Sequence, residues 1–134
     1  MEAKDTRIYM RVDTEKIEPK KEDKFVEFRD DRKNPDFKKD TENFLSIINP
    51  GQKVFWIGEP KNRMQDTIEI VDIRKKKGNP EFLKNLGKDP SRNGVFMAEV
   101  KDALEKGEEG YDVIFKIKGK EEQFTVDPKL IMKT

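Results

Sequence analysis

Apolar and polar residues alternate along the second half of the chain, and this is the clearest pattern in the sequence. Every second residue from Tyr111 to Ile117 is large and apolar, while most of the residues between them are charged. Alternation with a period of two predicts a β-strand with one buried and one solvated face. The turn-like residues 119–122 connect this strand to a second segment at 123–126, so the pattern predicts an antiparallel hairpin.

Shorter apolar runs elsewhere predict about eight strands in all. Beyond the hairpin, the strand-like segments are 6–12, 24–29, 43–48, 53–59, 67–75 and 95–101. In the segment 67–75 the apolar parity switches between Ile70 and Val71, which predicts a bulge at that point. Near the end of the chain, Pro128 cannot donate a ladder hydrogen bond, so Asp127-Pro128 predicts a break before the last apolar residues, 130–132.

A single short helix is predicted at 79–86. Asn79 suits the N-cap, Pro80 suits the first helical position, and Gly87 suits the position beyond the last turn. Short strands separated by turn residues, with so little helix, favour an all-β, single-domain antiparallel β-sandwich of the Ig-like or cupredoxin-like kind over a partly closed barrel.

The most apolar strand segment contains the only tryptophan, Trp56. An exposed tryptophan would offer a flat surface for stacking a sugar, but the apolar neighbours of Trp56 favour a place in the core. The segment 43–48 is also apolar, and we expect Phe44, Leu45 and Ile47 to belong to the core. A register shift of one residue would invert such a strand completely.

Charge in this chain is dense but balanced. Charged residues make up 43% of the 134 residues, yet 29 basic and 28 acidic side chains leave a net charge of only +1. A chain of this length fits one domain, 1–134, with a core of its own. The balance provides no global field for attracting nucleic acid or anionic lipid, so such a partner would need a local patch.

The chain contains no histidine and no cysteine. These residues supply most nucleophilic triads, zinc sites, thiol redox centres and haem ligands, so the sequence predicts no cofactor, no metal centre and no enzymatic activity. No apolar run is long enough for a membrane span, and residues 1–16 carry charges every few positions. We therefore expect no membrane partner and a cytoplasmic location.

Basic residues are concentrated between positions 74 and 92. The candidates for binding an anionic ligand are Arg74, Lys75, Lys76, Lys77, Lys84, Lys88 and Arg92. Such a cluster can neutralise the phosphates of a nucleic acid or the charges of an acidic polymer, with Phe82 available for base stacking. The alternative is an ordinary solvated loop.

Acidic residues are concentrated between positions 30 and 42. They are Asp30, Asp31, Asp36, Asp40 and Glu42. Several carboxylates on one loop are typical of calcium sites, but the spacing lacks the EF-hand pattern and basic residues are interleaved. The sequence therefore favours a solvated loop of mixed charge over a calcium site.

Three short motifs carry a resemblance to known proteins. They are the segments Gly51-Gln52-Lys53-Val54-Phe55-Trp56, Tyr111-Asp112-Val113-Ile114-Phe115 and Val126-Asp127-Pro128-Lys129-Leu130-Ile131. With them the chain resembles cupredoxin-like small β-sandwiches, and especially the bacterial crystalline inclusion-body family, which shares the G-x-x-V-x-W strand and a C-terminal Asp-Pro strand. The resemblance implies the fold. It does not imply copper electron transfer, because the histidine and cysteine ligands of cupredoxins are missing.

The sequence leads to two main functional hypotheses of different classes, ahead of a third, a hydrolase, which would need two carboxylates that converge in a cleft, one of them with a raised pKa. The first is a non-catalytic structural protein that self-associates through an unprotected sheet edge, as a homo-oligomer. The alternative is a binding module that presents the basic 74–92 loop to an anionic ligand such as nucleic acid or an acidic polymer.

Overall fold

A computed structural model describes residues 3–134, which form ten β-strands and one 3₁₀ turn at Glu22–Lys24. The strands are β1 (Thr6–Val12), β2 (Val26–Asp30), β3 (Leu45–Ile48), β4 (Lys53–Pro60), β5 (Ile68–Lys75), β6 (Leu83–Lys88), β7 (Phe96–Val100), β8 (Glu108–Ile117), β9 (Gln123–Val126) and β10 (Lys129–Met132). Within residues 3–134 no helix has the length and apolar character that a membrane span requires.

The strands form two sheets that pack face to face, which confirms the predicted all-β sandwich. The first sheet has the order β2-β1-β4-β7-β6, and the second has the order β3-β10-β8-β5 with β9 also paired to β8. Both sheets are mixed rather than purely antiparallel, because β1 pairs with β4 in parallel and β3 pairs with β10 in parallel. Alternation along a strand shows which face is buried but not the direction of its neighbour, so the sequence pattern did not reveal the parallel pairs.

The core between the sheets is centred on Trp56, whose predicted burial is confirmed. Its side chain is 1% exposed, and its indole N–H donates a hydrogen bond of 2.9 Å to the hydroxyl of Tyr111. The two rings meet edge to face at 5.7 Å. Because Trp56 lies on β4 and Tyr111 on β8, this pair joins the two sheets, and burial raises the pKa of the Tyr111 phenol.

Two local predictions in the second sheet are confirmed. Strands β8 and β9 form the predicted hairpin, with Phe115 opposite Phe124. The pairing of β5 with β8 shifts register between Ile70 and Asp72, where the bulge was expected. Beyond Asp127-Pro128, β10 continues along the same strand β8 that β9 pairs with, so the proline interrupts one long edge of β8.

The predicted helix at 79–86 is wrong. Leu83–Lys88 is strand β6, which pairs with β7 and contains a bulge at Asn85, whose φ is +54°. The residues before it form a turn at 77–78 and then irregular backbone, and they are held by tertiary contacts, since the Asn79 side chain accepts a hydrogen bond of 2.9 Å from the Gly110 N–H. A helix of two turns has little stability of its own, and here extended backbone supplies a partner for the edge of β7.

The predicted inward face of β3 is also wrong. Ser46 and Ile48 are fully buried, whereas Leu45 and Ile47 lie half-buried on the outer face. The reason is Asp30, a buried carboxylate at the end of β2 that accepts a hydrogen bond of 2.7 Å from the Ser46 hydroxyl. Hydrogen bonding of a buried charge outweighs burial of one more apolar side chain, so the strand turns its serine inward.

Asp30 also organises the loop that follows it. One carboxylate oxygen accepts the backbone N–H groups of Arg32 and Asn34 at 2.8 and 3.0 Å, and the other accepts the Asn34 side-chain amide at 2.9 Å. The same amide also donates to the Leu45 carbonyl at 2.9 Å. The carboxylate therefore joins β2, the loop and β3.

We expect Asp30→Ala to lower the free energy of unfolding by about 3 kcal/mol, because it removes the acceptor of one buried and three partly buried hydrogen bonds. Ser46→Ala removes one donor only and should cost about 1 kcal/mol. Urea unfolding followed by the fluorescence of Trp56 measures both. Asp36→Ala, on an exposed residue of the same loop, is the control, and equal losses for Asp30→Ala and Asp36→Ala would contradict the assignment.

Candidate binding surfaces

The seven basic residues predicted to bind an anion are spread over both sheets. Arg74 and Lys75 end β5, Lys76 and Lys77 follow in the turn, Lys84 and Lys88 lie on β6, and Arg92 lies in the loop between β6 and β7. Strand β5 belongs to the second sheet and β6 to the first.

Four of these cations have a carboxylate partner within 4.0 Å. The pairs are Arg74 with Asp72 at 3.1 Å, Lys76 with Asp127 at 3.1 Å and with Asp112 at 3.7 Å, Lys84 with Asp102 at 4.0 Å, and Arg92 with Asp89 at 3.1 Å. Pairing of this kind reduces the positive potential that would attract a polyanion. A hydrogen bond from the Ser91 backbone N–H, together with the Ser91 hydroxyl and Arg92, lowers the pKa of Asp89.

The other three cations are not brought together. The Lys75 ammonium donates to the Leu83 carbonyl at 3.3 Å. Within residues 3–134, Lys77 and Lys88 form no ion pair. Lys88 and Arg92 line a concavity of about 210 Å³ that also contains Glu69 and Asp89. The surface is therefore of mixed charge, and anion binding by the 74–92 segment stays a prediction.

Binding of single-stranded DNA at low salt tests that prediction. If the segment binds a polyanion, the combined variant Arg74→Glu, Lys75→Glu, Lys76→Glu, Lys77→Glu should bind at least about tenfold more weakly, and the affinity of the natural chain should fall steeply with salt because counterions are released. Fluorescence anisotropy measures both effects. No binding at low salt would contradict the hypothesis.

The carboxylates of the 30–42 loop do not converge on a common point. Asp30 points into the protein, Asp31 pairs with Arg7 at 3.2 Å, and Asp40 accepts hydrogen bonds from the backbone and side chain of Asn43 at 3.2 and 3.0 Å. In the described part of the chain, no group of three or more acidic side chains has the geometry to hold a metal ion. The loop instead forms one wall of a groove.

This groove, which we call the β3–β10 groove, has a volume of about 550 Å³. Its apolar residues are Phe44, Leu45, Ile47 and Ile131, and its charged residues are Lys33, Lys38, Lys133 and Asp40. The groove therefore combines an apolar floor with a rim that is mainly basic.

The strand register explains the apolar floor. In the parallel pairing of β3 with β10, Ile47 lies opposite Ile131 and Leu45 lies opposite Lys129. All four side chains are on the outer face, since the inward residues of these strands are Ser46, Ile48, Leu130 and Met132. Because the Ser46 hydroxyl turns inward to Asp30, Leu45 and Ile47 lie next to Ile131 on the outside of the sandwich.

The loop between β2 and β3 forms the basic wall. The backbone of Lys38 makes two hydrogen bonds with that of Phe28 on β2, at 2.8 and 2.9 Å, and the Lys38 ammonium donates to the Asn34 side chain at 2.9 Å. The rings of Phe28 and Phe44 stack at 5.2 Å. These contacts hold the wall beside the floor without neutralising the lysines.

Sequence reasoning missed this groove because it placed Leu45 and Ile47 in the core. The available signal was the segment Phe44 to Ile48, in which both parities carry apolar residues around a single serine. When a strand carries apolar residues on both faces, only one face can pack in the core between the sheets, and the other must be covered by something else. Only the position of Asp30 shows which face that is.

Glu109 on β8 is a buried carboxylate away from the groove. It is 1% exposed and accepts a hydrogen bond of 3.0 Å from the Phe82 N–H. Burial raises its pKa, and the Phe82 hydrogen bond opposes that rise only in part. The contact holds the segment before β6 against β8.

A raised pKa in the folded state means that Glu109 contributes stability at low pH, which is lost as the pH rises through the folded-state pKa. Glu109→Gln keeps an acceptor for Phe82 but cannot ionise. We therefore expect the free energy of unfolding of this variant, minus that of the natural chain, to be larger at about pH 7 than at about pH 4. Urea unfolding at the two pH values measures the difference. Glu108→Gln, an exposed neighbour, should show no such trend, and a flat difference for Glu109→Gln would contradict the assignment.

Comparison with known proteins supports the fold. No protein-family model matches the chain, and no curated protein sequence matches it. Among solved structures, the inclusion body protein PixA from Burkholderia cenocepacia is similar over 99% of this chain and 98% of that chain, with a TM-score of 0.66 and 11% sequence identity. A cysteine protease inhibitor from Entamoeba histolytica covers 69% of this chain and 88% of its own, with a TM-score of 0.37 and 10% identity.

The first of these similarities confirms the resemblance to the inclusion-body family at the level of the fold. It extends over nearly the whole chain, whereas the sequence motifs covered only short parts of it. The inhibitor is too different in structure to support an argument. At such low identities the comparisons define the fold and leave the function to be argued from the surface of this chain.

Proposed function

We propose that this protein is a non-catalytic structural protein that associates with copies of itself. The observation that carries the proposal is the β3–β10 groove, in which Leu45, Ile47 and Ile131 form an apolar surface outside the core. Contiguous apolar surface with a polar rim is typical of a protein interface. The fold supports the same reading, because it is shared with a protein whose name places it in inclusion bodies.

The proposed association uses a face of the second sheet. The outer edge of β3 is already occupied, because the Leu45 carbonyl accepts from Asn34 at 2.9 Å and the Ile47 carbonyl accepts from the Thr6 hydroxyl at 2.7 Å. Strands β2 and β9 are protected in similar ways: the Phe28 backbone bonds to Lys38 and the Thr125 N–H donates to Glu22. Capped edges resist strand addition. The sequence predicted association through an edge, whereas these caps favour the adjoining face.

A structural role also agrees with the environment of Glu109. A carboxylate with a raised pKa is a common feature of acid catalysts. Here that carboxylate is 1% exposed and bonded to the backbone of Phe82, so it has no access to a substrate. The Glu109 carboxylate instead holds the segment before β6 against β8.

Sedimentation velocity over a concentration series tests the proposal. The average mass of the natural chain should rise with concentration, and Ile131→Asp should remain monomeric because it places a charge on the apolar floor. Gln123→Asp adds the same charge to the outer face of the same sheet, away from the groove, and should associate like the natural chain. A natural chain that stays monomeric up to about 1 mM would overturn the proposal.

A further inference from the structure

The loop between β7 and β8 presents an exposed leucine surrounded by acidic residues. Leu104 is 54% exposed, and within residues 3–134 only Leu104 and Met64 are large apolar side chains with such exposure. Its neighbours in the chain include Asp102, Glu105 and Glu108. An exposed leucine flanked by acidic residues is complementary in chemistry to a groove that is apolar and basic.

The loop is held firmly at its base. The Lys101 N–H donates to the Phe82 carbonyl at 2.8 Å, and the Glu105 N–H points at the sulfur of Met132 at 3.2 Å. Asp102 lies 4.0 Å from the ammonium of Lys84. Contacts on both sides of Leu104 restrict the loop, so binding through its tip costs little additional ordering.

The groove and the loop are complementary in chemistry. The groove has three lysines and one aspartate around an apolar floor. The loop has three acidic residues around one leucine, and Lys106 is the only basic residue between Asp102 and Glu108. Among the described residues, the groove lysines make no ion pair, and neither do Glu105 and Glu108. Each surface therefore offers unneutralised charge of the sign that the other requires.

We propose that the Leu104 loop of one copy of this chain inserts into the β3–β10 groove of a second copy, with the groove lysines facing the acidic residues of the loop. The inference rests on the proposed self-association and names the two surfaces that meet. Glu108 lies opposite Ile131 in the pairing of β8 with β10, so loop and groove adjoin on one side of the sandwich. A two-fold axis would form the contact twice in a closed dimer, and a head-to-tail arrangement would form it once per copy in an open chain.

Two variants that each disable one half of the contact test the inference. Leu104→Ser removes the apolar tip of the loop, and Ile131→Asp disables the groove. Each variant alone should associate at least about tenfold more weakly than the natural chain. A loss of this size corresponds to one branched apolar side chain that is no longer buried in the contact between copies. An equimolar mixture should form a one-to-one heterodimer that does not grow further, because it retains one intact loop and one intact groove. Sedimentation velocity with one variant fluorescently labelled measures this species.

Met64→Ser is the matched control, since it removes the other exposed apolar side chain from a different loop. It should associate like the natural chain. If Leu104→Ser associates as strongly as the natural chain, the loop is not part of the contact. That result would overturn the inference but not the proposed self-association. Absence of association in the natural chain would overturn both. Sodium decanoate tests whether the groove binds an anionic amphiphile instead of a second copy of the chain. If the chain does not self-associate and decanoate binds in the groove, both proposals fail.

Discussion

The buried carboxylate of Asp30 is the constraint on which the surface of this protein depends. A charge without access to water must accept hydrogen bonds, and Asp30 takes them from Arg32, Asn34 and Ser46. To supply these donors, the chain turns back immediately after β2, and β3 directs its serine inward. Leu45 and Ile47 are consequently displaced to the outside of the sandwich.

The displaced residues become a groove because of two further features. The parallel pairing of β3 with β10 brings Ile47 beside Ile131, and the loop anchored by Asp30 and Lys38 forms a wall along them. The same Asn34 amide that bonds to Asp30 also caps the edge of β3. One polar network therefore blocks strand addition at the edge and creates an apolar, basic-rimmed surface on the adjoining face, which is the surface that we assign to self-association.

Much of the scaffold was predictable because it follows from local patterns. The β8–β9 hairpin, the bulge after Ile70 and the burial of Trp56 each depend on residues close in the chain, and each is confirmed. The helix at 79–86 failed because its capping signals are local, while the backbone partners of this segment, on β7 and β8, are distant in sequence. Capping residues favour a helix by about 1 kcal/mol, and strand pairing with burial of Phe82 and Leu83 exceeds that.

By itself, the sequence determined the all-β class, most strand positions and the absence of the histidine and cysteine side chains on which most familiar catalytic and metal sites depend. Tertiary structure alone decided the parallel strand pairs, the orientation of β3, the pairing of most cations between 74 and 92, and the groove. Each of these depends on residues that are distant in the sequence, and the orientation of β3 shows this most directly. Alternation reports how many faces of a strand are apolar, whereas the choice between two apolar faces depends on which distant group, here the carboxylate of Asp30, requires a donor.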